Sequence, residues 1–221
     1  MSVRASQRRG FGSQSFSWWP TTTSWWMGTA FLIALVSAVI VLAAFGAGER
    51  GTAIALRLTG RWSFLLFWCA YVGGATAKLF GPRFSGMARH GREFGLAFAS
   101  AHLVHVGLVL WLYHISAGPA DAMALFWGGV FFTYLLALFS WPRLRDMLGP
   151  FIWRTFMTIA LECIALTFAL DFIVGPVQAV GLGKFPHGYL PFALMLICGA
   201  GLRIVVFLSR AFSAAFRSTL P

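Results

Sequence analysis

Acidic residues are scarce in this chain, with six Asp and Glu among 221 residues against seventeen Lys and Arg. Charged side chains of both signs reach only 10%, while apolar ones make up 59%. Soluble domains carry about 25% charge, so this composition excludes a water-exposed globular domain of ordinary kind. Cysteine is nearly missing too. Cys69, Cys163 and Cys198 are odd in number and fall inside apolar runs, which excludes a disulfide framework or a paired-cysteine metal motif and leaves them as small buried hydrophobes. There is no phosphate loop and no nucleophile elbow, and no soluble nucleotide-binding unit has room after the last apolar run.

What the chain does have is long hydrophobic stretches, with a mean hydropathy of +0.78. Six runs, at about 27–45, 62–80, 94–114, 122–141, 151–173 and 189–209, have helix-like lengths close to the roughly 20 residues that span a bilayer. The fold class expected is an all-α integral membrane protein, a six-transmembrane-helix bundle occupying 18–210. Residues 1–17, rich in Ser, Gly and Arg, read as a mobile cytoplasmic tail, and 211–221 as a second. No cleavable signal is evident, so the first run reads as an anchor. Trp18, Trp19, Trp25 and Trp26 have the character of an interfacial belt. Gly51–Arg61 looks too polar to span and reads as a short helix at the outer interface, which makes the second span the shortest.

The net charge of +11 is spread as flanks between apolar segments, with no continuous basic stripe, so nucleic acid is not an expected partner. The lipid bilayer is. With the N-terminus inside, twelve Lys and Arg fall on the cytoplasmic side and four, Arg50, Arg57, Arg61 and Lys184, on the other. That bias places both termini in the cytoplasm, and a bacterial inner membrane is the expected location.

The third run carries His102 and His105. From Phe94 to Tyr113, twenty residues pass without a formal charge, and imidazoles in such a span are costly unless paired or ligated. Three residues apart on a helix, both face the same way. Buried heme needs inward imidazoles from facing helices and cations near the surface for its propionates. Arg57 and Arg61, or Arg89 and Arg92, are placed for the second task. A hydrogen-bonded histidine pair bridging helices is the other use of the same pattern.

Leu58-Thr59-Gly60-Arg61-Trp62 before an apolar span, then Arg89 and Arg92 followed by Gly95 and His105, and Trp153-Arg154 opening the fifth run, together resemble the ferric-reductase-like transmembrane domain family over about residues 52–175. The likeness is to its MsrQ-like members, the heme-binding membrane subunits of a periplasmic methionine sulfoxide reductase system. The NADPH oxidases share the architecture more distantly. The resemblance implies a membrane electron-transfer subunit, part of an oxidoreductase, passing electrons through b-type heme. Its electrons would come from a separate flavin-containing donor and go to a redox partner protein, because this chain has no flavin or nicotinamide domain. It makes His105 the heme-iron ligand and His102 the second candidate, with Arg61, Arg89 and Arg92 near the propionates. The chain departs from the family in its fifth run. Met157 stands at the inner histidine position and Leu170 at the outer one, and no histidine lies between His114 and His187. Met157, His90 and His187 are then the remaining candidate ligands.

The alternative is a non-redox membrane protein on the same scaffold, an assembly partner or small-solute pathway that has lost heme. Its polar centre would be Glu162, near the middle of the fifth run, with Arg203 of the sixth within reach. A lone carboxylate at that depth costs several kcal/mol, so Glu162 is expected to be protonated, paired or beside a polar cavity. Gly73-Gly74 and Gly128-Gly129 mark either close helix approaches or room for a flat group.

Overall fold

A computed structural model describes residues 21–116, 123–177 and 187–218. Among these the chain is helical, in seven α-helices: α1 (Thr21–Phe45), α2 (Glu49–Phe80), α3 (Ser85–Arg89), α4 (Gly91–Ile115), α5 (Met123–Phe139), α6 (Pro142–Ala169) and α7 (Leu190–Ser218). Five helical stretches are long and apolar enough to cross a membrane: Thr22–Phe45, Glu49–Phe80, Gly91–Ile115, Pro142–Val177 and Leu190–Ser213. The chain is therefore a multi-pass α-helical membrane protein. α5 coincides with the expected fourth run, but its 17 residues measure about 26 Å, a little under a typical hydrocarbon core of about 30 Å. The tail over 1–17 lies outside the described residues.

Two expectations are corrected. Gly51–Arg61 is not a separate interfacial helix. It forms the first turns of α2, a continuous helix of 32 residues, so the second span is the longest α-helix rather than the shortest. The segment stays helical because its polar groups are satisfied locally. Thr59 donates to the carbonyl of Ala55 at 2.9 Å, and Thr52 to that of Ala47 at 3.3 Å, while Thr52, Ala55 and Thr59 are fully buried. The second correction concerns the last span, since α7 continues through Ser218 where a tail was expected from residue 211.

Two breaks shape the end of the bundle where α2 stops. Gly81, at φ 78°, terminates α2 and donates its N–H to Ala77, and Pro82 follows. Gly149, at φ 71°, interrupts α6 just before Pro150, which has no N–H for the helical ladder. The apolar part of α6 therefore begins near residue 151, as expected, behind a kink. It ends in a π-helical turn, Leu170–Val174.

The core sits around α2. Phe64 is fully buried and meets Phe168, Phe172 and Phe192 at centroid separations of 5.2, 5.0 and 5.8 Å. Phe67 lies 5.4 Å from Phe98. Small residues bring α1 against α4: Ala30 and Ala34 share a buried cluster with Ala97 and Ala101, and Ala38 shares another with Leu108. Indole N–H groups tie the helices by donating to opposite carbonyls, Trp62 to Ala30 at 3.2 Å and Trp68 to Met195 at 2.7 Å.

Candidate functional site

The helices alternate in direction, so the C-terminal halves of α2, α5 and α7 lie beside the N-terminal part of α4 and the first two-thirds or so of α6. There they enclose a cavity of about 740 Å³. Its deep wall is apolar, with Phe67, Phe98, Ile164 and Val206 buried. Arg92, Arg145, Arg203 and Arg210 line it as well, and Glu162 is the one lining carboxylate among the described residues.

Glu162 is held from two helices. The Tyr71 hydroxyl of α2 donates to Oε2 at 2.8 Å, and Nε of Arg203 on α7 donates to Oε1 at 2.8 Å. Nη2 of Arg203 is also 2.8 Å from Oε1. Its Nη1 donates to the Tyr71 carbonyl at 3.2 Å, and its guanidinium carbon lies 4.4 Å from the Tyr71 ring centroid. Three helices thus share one polar knot. Arg203 does not extend to the nearer membrane surface; it pairs with Glu162. The Glu162 side chain nonetheless keeps 49% of its surface accessible, against 23% for Arg203, because it faces the cavity. Carboxylate, guanidinium and phenol satisfy one another in a way that makes a charged pair tolerable at this depth.

His102 and His105 do stand on one face of α4, as their spacing predicts. Their rings are 5.6 Å apart and 20° from parallel. His105 reaches the neighbouring helix α2. His105 Nδ1 is 3.2 Å from Thr59 Oγ1 on α2, and a Cβ placed on Gly60 would come within 3.3 Å of His105 Cε1. α2 therefore lies directly against this imidazole, and Gly60 is what permits the approach. His102 is buried between Phe98 and Tyr134, with ring separations of 5.3 and 6.2 Å, and its Nδ1 finds no partner among the described residues. Such an orphan costs about 1–3 kcal/mol. We expect His102→Phe to be neutral or stabilising by about 1 kcal/mol, read as the midpoint of thermal unfolding in mild detergent. A loss of 2 kcal/mol or more would mean that His102 has a partner in the membrane.

Of the other expected site residues, Arg92 and Met157 line the cavity, whereas neither histidine of α4 does. Arg61 is at the opposite end of α2, with its guanidinium carbon 5.4 Å from the ring centroids of both Tyr189 and Phe192. Arg89 ends α3 and is exposed. His90 stacks on Trp26 at 6.4 Å and lies 3.9 Å from Glu93. His114 packs beside Trp111, and the side chain of His187 lies outside the described residues. The glycine pairs divide. Gly73 and Gly129 are close approaches, to Met87 and Thr167, while Gly74 and Gly128 face open space.

Tyr71 was not singled out in the sequence, though a signal was present. Only four tyrosines occur in the chain, and a hydroxyl in an apolar span needs a partner. Arg145 and Arg210, counted there only for orientation, turn out to line the cavity. Comparison with known protein families, curated proteins and solved structures finds no match to this chain.

Proposed function

We propose that this chain is a non-redox membrane protein of the small-solute-pathway class, with the Tyr71–Glu162–Arg203 knot as the polar centre of its binding cavity. One observation carries the reading: a charged pair sits inside an apolar span and faces a cavity of about 740 Å³. That volume lies within the roughly 300–1,000 Å³ of sites for small ligands. An intramembrane ion pair with an accessible carboxylate marks a solute path more often than a structural pin. On the six-span reading, with both termini in the cytoplasm, the cavity mouth faces the cytoplasm.

Glu162→Gln tests it. The amide accepts from Tyr71 but brings no charge to Arg203, so it should lower the unfolding free energy by about 1 kcal/mol and change solute binding or flux in proteoliposomes several-fold. If stability and every solute measurement are unchanged, Glu162 has no part in the function.

The electron-transfer reading keeps one specific support: Met157 and Arg92, two of its expected residues, line the same cavity, with Gly91 and Gly95 on the wall. A heme there would supply one-electron chemistry and would be held by the Met157 thioether and the lining arginines. The imidazoles of His102 and His105 lie outside this cavity, so the histidine ligation implied by the family likeness does not fit it. A reduced-minus-oxidised spectrum after heme-replete expression decides between the readings. A b-type band lost in Met157→Ala would establish heme in this cavity; a band lost in His105→Ala would place it elsewhere in the bundle. No band ends the electron-transfer reading.

A further inference from the structure

We propose that the cavity takes an anionic amphiphile of phospholipid type, its acidic head at Arg145 and Arg210 and its tail between α6 and α7. This rests on the reading of the cavity as a ligand site and names the class of ligand.

Charge gives the head group. Among the described residues four arginines line the cavity against one carboxylate, and that carboxylate is already held by Arg203 and Tyr71. The surplus is positive. Arg145 has only a 3.3 Å contact with Asp146, whose side chain is 68% exposed, and such a surface pair contributes little. Arg210 makes no ion pair among the described residues. Arg145 sits in the first turn of α6 and Arg210 in the C-terminal half of α7, toward the end of the bundle where guanidinium groups can meet lipid head groups.

The wall gives the tail. Ile204 and Phe207 of α7 line the cavity and yet are 57% and 70% exposed. The α7 side of the cavity is thus continuous with the outer face of the bundle, which in a membrane is hydrocarbon. A small hydrophilic anion would have to sit beside acyl chains, whereas an amphiphile meets apolar wall and cations in the order in which its own groups run. On α4 and α2 the facing wall is Gly95 and Gly74, where an added Cβ would meet nothing within 4 Å. There is room for a chain to lie.

The test uses the full-length protein in uncharged detergent, with native mass spectrometry and the thermal midpoint as readouts. The probes are phosphatidylglycerol, phosphatidylcholine and inorganic phosphate. Phosphatidylglycerol should be retained and raise the midpoint, with affinity falling roughly fivefold for each of Arg145→Gln and Arg210→Gln. Arg83→Gln, the same charge change at an exposed position outside the cavity, should have little effect. Gly95→Leu should remove binding while the protein stays folded. Equal retention of phosphatidylcholine would overturn the assignment of the head group. An equal shift with inorganic phosphate would overturn the tail, leaving the cavity as a site for a soluble anion. Equal losses in Arg83→Gln and the cavity variants would reduce the effect to general surface charge and overturn the proposal. If no probe binds and Glu162→Gln is also silent, the reading of the cavity falls with it.

Discussion

Glu162→Leu should destabilise the protein by about 2–3 kcal/mol, and adding Arg203→Leu should recover a large part of that loss. The single variant leaves a guanidinium inside an apolar span, together with a Tyr71 hydroxyl that has lost its acceptor. Breaking a fully buried pair by removing one partner costs about 3–5 kcal/mol, most of it from the charge left behind. The value here is lower because the Glu162 side chain is 49% exposed to the cavity. In the double variant no unpaired charge remains, and only the hydroxyl of Tyr71 is left without an acceptor. A double-mutant cycle in mixed micelles, over Glu162 and Arg203, should give a coupling energy of about 1–3 kcal/mol. Additive losses would mean that the 2.8 Å contact does not persist in the membrane, and the polar centre would then have to be sought elsewhere.

This pair is also where sequence and structure agree most closely, for a physical reason. A carboxylate and a guanidinium in two apolar runs have few low-cost arrangements: pairing with each other or, for the arginine, snorkelling to the nearer membrane surface. The structure shows the pairing. Tyr71 was less visible: its hydroxyl in an apolar span calls for a partner, but the residue type does not say which one. The histidines lie between these cases. Their spacing of three residues places them on one face whatever α4 packs against, and that part is observed. What each imidazole meets depends on what lies opposite: for His105 it is Thr59 and Gly60 of α2, for His102 Phe98 and Tyr134.

The misreading of Gly51–Arg61 has the same root. Two glycines, two threonines and two arginines within that segment look like an interfacial break when counted by polarity. In the folded chain the threonine hydroxyls bond back along the helix, and Gly60 provides the surface on which His105 rests. The polarity of that segment serves packing between α2 and α4. The family resemblance rests partly on these residues. Thr59, Gly60 and His105 form one contact between α2 and α4.

Glycine pairs expose the limit of sequence reading most sharply, and they carry the last prediction. Gly73 and Gly95 are both mid-helix glycines, and from propensity alone replacing either should stabilise its helix by about 1 kcal/mol. Their surroundings reverse one of the two signs. A Cβ on Gly73 would lie 2.9 Å from the backbone oxygen of Met87 and 3.1 Å from its carbonyl carbon. Backbone cannot swing aside as a side chain can, so Gly73→Ala must push α3 from α2, at a net cost of about 1–3 kcal/mol. A Cβ on Gly95 meets nothing within 4 Å, because it projects into the cavity. Gly95→Leu should therefore raise stability by about 1 kcal/mol, and it should remove ligand binding by occupying the space. Thermal midpoints of the two variants, measured without added ligand, should move in opposite directions, with flux or binding lost in the more stable one. If Gly95→Leu unfolds as readily as Gly73→Ala, the helices close over that space in the membrane, and the cavity is not available to any ligand.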